Sequence, residues 1–283
     1  MHRFKPYTLN LGGRLTTVEK PLVMAILNIT PDSFYSGSRC PEQYAIRQRV
    51  RQIVAEGADI IDIGGYSSRS NADDIPAEEE YRRLEAGLRI VKEEAPSLPV
   101  SVDTFRASVA ERCVGEWGVE IVNDIAAGGL DPEMIPTVGR VKAAYVMMHM
   151  RGNPHTMTQL CDYDNLVADI MQYFGRKINE AQEAGVNDII LDPGFGFSKT
   201  VDQNYELLGG MDAFLQLGLP VLVGVSRKSM IYKLFGTTPA EALNGTTAIN
   251  MLAMAQGASI LRVHDVREAC EAVEIFCKTF PNE

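Results

Sequence analysis

The segment IILDPGFGF, residues 189–197, sets a short apolar run against a carboxylate, Asp192, and a glycine-bearing turn. A strand buried on both faces in a parallel sheet reads as such a near-continuous run of Ile, Leu and Val. A charged group at its tip is costly unless it points into a site. The same pattern recurs along the chain. It appears in MAILN (24–28, ending in Asn28), DIIDIGG (59–65, with Asp62), PVSVDT (99–104, with Asp103) and EIVNDI (120–125, with Asn123 and Asp124). It returns in AYVMMHM (144–150, with His149), VLVGVSRKS (221–229, with Arg227 and Lys228) and ILRVHD (260–265, with Arg262 and His264). Eight polar-tipped runs separated by helix-length segments predict an α/β fold, a (β/α)8 barrel whose tips converge on one catalytic face.

Strands are expected near 22–27, 59–64, 99–103, 120–123, 144–149, 188–192, 220–225 and 259–263. Helical patterns lie near 42–56, 77–94, 105–117, 131–139, 163–184, 202–217, 239–256 and 266–279. Gly57, Gly118, Gly185, Gly218 and Gly257 follow helices, where a left-handed C-terminal residue is expected. Residues 2–20 alternate in polarity around Gly12-Gly13, which predicts a hairpin capping the barrel bottom. The domain reading is therefore residues 1–20 as an N-terminal hairpin and 21–283 as a barrel, with no break in composition between them. The segments 30–41, 66–76 and 151–163 are expected to be long loops on the catalytic face.

A chain of 283 residues suits one such barrel. Its net charge of −10 disfavours nucleic acid as a partner, although a cleft lined with Arg, Lys and His still suits a small anion. No run approaches the length of a membrane span, and the opening MHRFKPYTLNLGG has no long apolar core of a secretion signal. Five scattered cysteines, none in a CxxC pair, fit reduced thiols. The expectation is a cytoplasmic enzyme without a membrane partner.

Asp103, Asp192 and Asn123 at strand tips offer acceptors and an amide to the edge of a planar heterocycle of the guanine or pterin kind. Any one of these carboxylates also suits a helix N-cap or a structural ion pair. Arg262 and His264 alternate across Val263 and so leave one strand face, at the strand tip where barrel enzymes hold phosphate. His264 alone also fits a satisfied polar residue at a strand end. Lys228 is placed for a ligand hydrogen bond, with a Schiff-base role as the alternative. Asn28 and Asp32 are oxygen donors of the sparse kind that suits Mg²⁺ shared with substrate phosphates. Met148 belongs to a methionine-rich segment that suits core packing or one wall of an aromatic pocket. No GxGxxG follows the first strand, and no Walker motif, HExxH or Cys/His cluster is present.

In ordered succession, ILNITPDSF, DIIDIGG, SVDT, VNDI, MHMRGNP, LDPGFGF, GVSRKS and RVHD resemble the dihydropteroate synthase family of pterin-binding barrels, from about Pro21 to Phe276. The resemblance implies condensation of 6-hydroxymethyl-7,8-dihydropterin diphosphate with p-aminobenzoate, releasing pyrophosphate, in a homodimer that uses Mg²⁺. It implies Asp103, Asn123, Asp192 and Lys228 around the pterin, with Met148 and Arg262 on its faces. Asn28, Arg262 and His264 would hold the diphosphate, Asn28 being the metal ligand. Phe34, Ser68, Arg69, Phe197 and Ser229 would enclose p-aminobenzoate. Catalysis would fall to Asp103, Lys228, Arg262 and His264.

The related methyltetrahydrofolate:corrinoid methyltransferases share the barrel but have no pyrophosphate to hold, which GVSRKS and RVHD disfavour. A pterin-binding protein without transferase activity is the other alternative. It is raised by two loop departures: Ser70-Asn71 stands where the family commonly has Pro-Gly, and Ser36 where it has an acidic residue.

Overall fold

The computed structural model of the chain describes residues 3–29, 39–67 and 74–281. It opens with β1 (Tyr7–Leu11) and β2 (Arg14–Val18), paired antiparallel from Tyr7↔Val18 to Leu11↔Arg14. Gly12 and Gly13 form the turn, with φ of 60° and 85°. Two successive left-handed residues are what a tight hairpin needs and what glycine supplies without strain.

Eight parallel strands follow: β3 (Leu22–Asn28), β4 (Ile60–Gly64), β5 (Val100–Asp103), β6 (Ile121–Asp124), β7 (Ala144–Met148), β8 (Ile189–Asp192), β9 (Leu222–Val223) and β10 (Ile260–Val263). Each lies beside its neighbour in sequence, and β10 returns against β3 with Ile260 opposite Leu22. The last seam, between β8 and β9, is closed by a parallel bridge from Leu191 to Val221 and by Leu191 N–H donating to Pro220 O at 2.9 Å. A closed barrel results, as the sequence predicts.

The helices are α1 (Arg39–Glu56), α2 (Ala77–Glu94), α3 (Ala107–Trp117), α4 (Met134–Val141), α5 (Leu166–Glu183), α6 (Val201–Gly209), α7 (Ser229–Leu234), α8 (Leu243–Ala255) and α9 (Val266–Thr279). All five glycines expected after helices hold positive φ. Two helices differ from expectation. The pattern at 202–217 divides into α6 and a 3₁₀ turn, Met211–Leu217, broken at Gly209-Gly210. The pattern at 239–256 opens with a separate 3₁₀ turn, Pro239–Glu241, where Thr238 and Glu241 form a capping box, before α8 begins. The short helix α7 begins directly after the Arg227-Lys228 turn, where GVSRKS is expected to open a helix, and ends before the pattern at 239–256.

Strand residues alternate between two cores. Val23, Ala25, Leu27, Ile61, Ile63, Val100, Val102, Val122, Ile189, Leu191, Leu261 and Val263 face the helices. Met24, Ile60, Ile121, Ala144, Val146, Ile190, Leu222 and Ile260 face the barrel axis, where Leu9 and Leu11 of the hairpin join them and plug the bottom. Above this apolar floor the inward positions turn polar.

Candidate active site

Two residues beyond the floor on each strand, Ile60 is followed by Asp62, Ile121 by Asn123, Ile190 by Asp192, Leu222 by Gly224 and Ile260 by Arg262. The period of two thus carries these groups onto the axis. Arg262 is the hub. Its Nε donates to Asp62 Oδ2 at 2.6 Å, and a terminal nitrogen donates to Asp103 Oδ2 at 2.6 Å. Asn123 Nδ2 donates to the same Asp62 oxygen at 3.2 Å. Burial opposes the guanidinium charge, but Asp62 and Asp103 outweigh it, so the Arg262 pKa is raised. Burial pushes the Asp103 carboxyl up to about 7, with Arg262 pulling it down and Asp62 pushing further up.

Asp103 sits in register beside Asn123, and Asp192 beside Met148. Asp192 is buried, and its Oδ1 accepts from Gly194 N–H at 2.8 Å. Burial raises its pKa, while Lys228, the Gly194 N–H and Arg262 work in the opposite direction. Lys228 is the residue before α7. Its Nζ donates to Phe195 O at 2.5 Å and lies 4.6 Å from the centre of the Phe197 ring. Burial draws its ammonium down to about 8, and Arg262 adds to this against Asp192 and Asp103. A Cβ on Gly224 would stand 3.9 Å from Arg262 Cδ and 4.0 Å from Lys228 Nζ, so both cations flank the same open position. Met148 joins Ile125, Ala126, Met150 and Met157 in an apolar wall, with Phe197 packed against it. Ser229 begins α7, half-buried.

Asn28 ends β3. A Cβ on Gly64 would stand 3.6 Å from its Oδ1 and 3.7 Å from Asp103 Oδ2, which puts an amide oxygen and a carboxylate on one spot. Among the described residues no three His, Cys, Asp or Glu side chains gather as a metal cage. One amide oxygen near one carboxylate fits a Mg²⁺ that takes most of its ligands from substrate and water.

His264 lies at the mouth, with Nδ1 3.0 Å from Ser226 Oγ. Partial burial of the imidazole, and then the charge of Arg262, lower its pKa to about 4. Its carbonyl accepts from Arg49 at 2.5 Å.

Three polar tips turn elsewhere. Asp124 follows an inward Asn123 and therefore faces out, accepting from Tyr145 OH at 2.7 Å and from the N–H groups of Ala126 and Gly128 at 2.9 and 2.6 Å. His149 is buried beneath the loop after β8, its Nδ1 3.1 Å from Lys199 Nζ. Arg227 forks onto Asp265, at 2.8 and 2.9 Å, and donates to the carbonyls of Pro239 and Ala240. Sequence reasoning did not single out Ser226 or Lys199, or place Asp62 beneath the site as its ionic floor. The parity of Asp62 with Gly64 was the available signal. Phe34, Ser68, Arg69, Asp32, Ser36, Ser70 and Asn71 lie outside the described residues.

The family model for pterin binding enzymes matches residues 24–264. A dihydropteroate synthase of Synechocystis is 40% identical over 263 residues, covering 92% of this chain and 89% of its own. Among solved structures, the dihydropteroate synthase of Xanthomonas albilineans with 4-aminobenzoic acid superposes with a TM-score of 0.89 at 35% identity, covering 99% of this chain and all of that one (100%). The Clostridium difficile dihydropteroate synthase, in the presence of pteroic acid, gives 0.88 at 34% identity, with coverage of 97% and 100%.

Proposed function

The chain belongs to the pterin binding enzymes, and we propose that it works as their dihydropteroate synthases do, as a transferase joining 6-hydroxymethyl-7,8-dihydropterin diphosphate to p-aminobenzoate. The observation that carries this reading is the joined set Asp62–Arg262–Asp103 with Asn123, Asp192 and Lys228 on one barrel mouth, beside the Met148–Phe197 wall. Residues 21–283 act as the catalytic barrel and residues 1–20 as its cap.

The amino-pyrimidine edge of the pterin donates to Asp103 and Asp192, with Asn123 alongside. Lys228 donates to a ring acceptor, exchanging the Phe195 carbonyl for the ligand. Met148 and the Arg262 guanidinium bracket the ring faces. His264 and Arg262 hold the diphosphate, and Asn28 would hold a Mg²⁺, which would supply neutralising charge to the diphosphate oxygens. The C–O bond to the diphosphate breaks, and the electron pair leaves on oxygen. The methylene carbon left behind is conjugated to the electron-rich dihydropterin, over the negative potential of Asp103 and Asp192. The aryl amine then forms the C–N bond and gives up one proton to pyrophosphate or water. Phe197 and Ser229 border the aminobenzoate and help to keep water from the cation.

Pterin diphosphate, Mg²⁺ and p-aminobenzoate incubated with the protein release pyrophosphate in step with dihydropteroate. Pyrophosphate formed at the same rate without p-aminobenzoate, or none at all, would falsify the reading.

We further place the protein in the cytoplasm as a homodimer. No helix among the described residues is long and apolar enough to cross a membrane. On α8, Ile249 and Ala253 pack inward, whereas Leu252 is exposed, as are Leu234 and Phe235 nearby in sequence. Sedimentation at micromolar concentration should give twice the chain mass, and Leu252→Lys should return it to a monomer.

A further inference from the structure

His264 is an exposed residue at the end of β10, yet one of its ring nitrogens already has a partner. Its Nδ1 lies 3.0 Å from Ser226 Oγ, and the backbone N–H of His264 donates to the same oxygen at 3.1 Å. A backbone N–H only donates, so Oγ accepts there. The hydroxyl proton then needs an acceptor. Among the described residues, Nδ1 is the one within reach of this buried serine. If Nδ1 accepts, the ring proton sits on Nε2, the nitrogen not engaged by the serine.

We propose that Ser226 is a positioning residue for His264, holding the neutral imidazole in its Nε2–H form so that this N–H donates to a phosphate oxygen of the substrate. The proposal rests on reading His264 as a diphosphate ligand. Its chemical consequence is a matter of sign. A phosphate oxygen accepts and cannot donate. A neutral ring protonated on Nδ1 would turn a lone pair toward that oxygen, and one protonated on Nε2 turns a donor toward it.

The surroundings of Ser226 are fixed with care. Arg227, the next residue, holds a left-handed φ of 54° without being glycine, and its N–H donates to Thr246 Oγ1 at 3.0 Å. A non-glycine residue in that region persists only where its neighbours over-determine it. Here the neighbour is Asp265, directly after His264, gripped by the Arg227 fork at 2.8 and 2.9 Å. The Ser226-Arg227 pair thus meets the His264-Asp265 pair at two points. The hydroxyl sets the ring and the ion pair sets the distance between the turns after β9 and β10.

The test uses the full chain labelled with ¹⁵N-histidine, whose four histidines keep the imidazole spectrum simple. His264 is assigned by its loss in His264→Gln. In the ligand-free protein at pH 8, His264 Nδ1 should resonate as an unprotonated nitrogen and Nε2 as a protonated one. Ser226→Ala should shift both signals toward a mixture of tautomers. It should also weaken pyrophosphate binding about tenfold, as expected for one hydrogen bond to a charged group, and leave the affinity for the pterin without phosphates unchanged. Ser226→Thr, which keeps the hydroxyl, should restore both signals and binding. A protonated Nδ1 in the parent protein, or ring signals unmoved by Ser226→Ala, overturns the proposal. Ring signals that move while pyrophosphate affinity stays the same overturn the diphosphate role of His264 and leave the tautomer assignment standing.

Discussion

Arg262 keeps its charge inside the barrel because Asp62 and Asp103 share it. The two partners are not equivalent. The Asp62 side chain is fully buried, while that of Asp103 retains 20% of its exposure and can turn to a ligand. Removing one member of a buried ion pair leaves a charge without compensation and costs about 3 kcal/mol or more. Asp62→Asn should therefore lose about that much in urea unfolding and also weaken pterin binding, since Arg262 would then draw on Asp103 alone. Asp103→Asn should cost less stability, because Arg262 keeps its deeper partner. Charge state matters as much as position. The Asp103 carboxyl is pushed up to about 7, and the Lys228 ammonium is drawn down to about 8. Both are charged only in a narrow interval, so kcat/KM for the pterin diphosphate should be bell-shaped, with limbs near these values. Lys228→Arg should move the alkaline limb upward, since a guanidinium stays protonated. Stability runs the other way for Asp103. Its folded value exceeds the ordinary 3.8, so between the two the folded chain holds a proton that the unfolded chain has released. The stabilisation from that proton is complete below the ordinary value and is lost as pH rises through the folded one. The Asp103 carboxylate is thus held ionised at the expense of the fold.

The loop after β8 carries Phe195 and Phe197 against Lys228, and it is pinned from beneath. Lys199 is buried and donates to the carbonyls of Gly194 and Phe197, each at 3.0 Å, with His149 Nδ1 at 3.1 Å. A Cβ on Gly194 would stand 2.0 Å from His149 O, so only glycine lets the loop lie this close. Lys199→Met would leave two carbonyls and an imidazole lone pair without a donor, at about 1–3 kcal/mol for each group left buried. Phe197 rides on this loop, whereas Asp192 belongs to the strand below it. Lys199→Met should therefore raise KM for p-aminobenzoate several-fold while pterin affinity, measured by calorimetry, changes little. Equal losses for the two substrates would mean that Lys199 supports the whole mouth and not the loop. At this scale the strands are legible in the sequence, because burial on both faces demands an apolar run and the tip demands a turn. The extent of helix α7 is not, since six residues are too few to establish a period of 3.6. Nor is the division at Gly209-Gly210, a local break in an otherwise periodic stretch. Among adjacent polar tips the sequence cannot say which one faces inward: Asn123 does and Asp124 does not. Lys199 and Ser226 stay hidden because their imidazole partners lie 50 and 38 residues away, in separate loops.

A barrel keeps its chemistry and its closure at opposite ends. Here the bottom is closed by the hairpin, whose Leu9 and Leu11 pack beneath Met24, Ile60, Ile121 and Ile190, while Asn10 N–H donates to Asp188 Oδ1 at 2.8 Å. The polar floor of Asp62, Asn123 and Arg262 begins one inward position above those same strand residues. Along β4 a single chain thus passes from Ile60, in the plug, to Asp62, in the ionic floor. The two layers share strands but no side chains, and that arrangement predicts a separation of effects. Leu9 is 2% exposed, and Leu9→Ala should cost about 2–5 kcal/mol through lost burial and a residual cavity. The strands above remain hydrogen-bonded to their neighbours around the whole barrel, so the mouth should keep its geometry. Melting temperature should fall, while kcat/KM, measured well below that temperature, should stay within about twofold of the parent. Asp62→Asn is the control at the other end, where stability and pterin binding should fall together. Should Leu9→Ala depress kcat/KM at a temperature where the protein is fully folded, the plug transmits strain to the mouth through the strands. The hairpin would then be part of the catalytic apparatus and not simply its base.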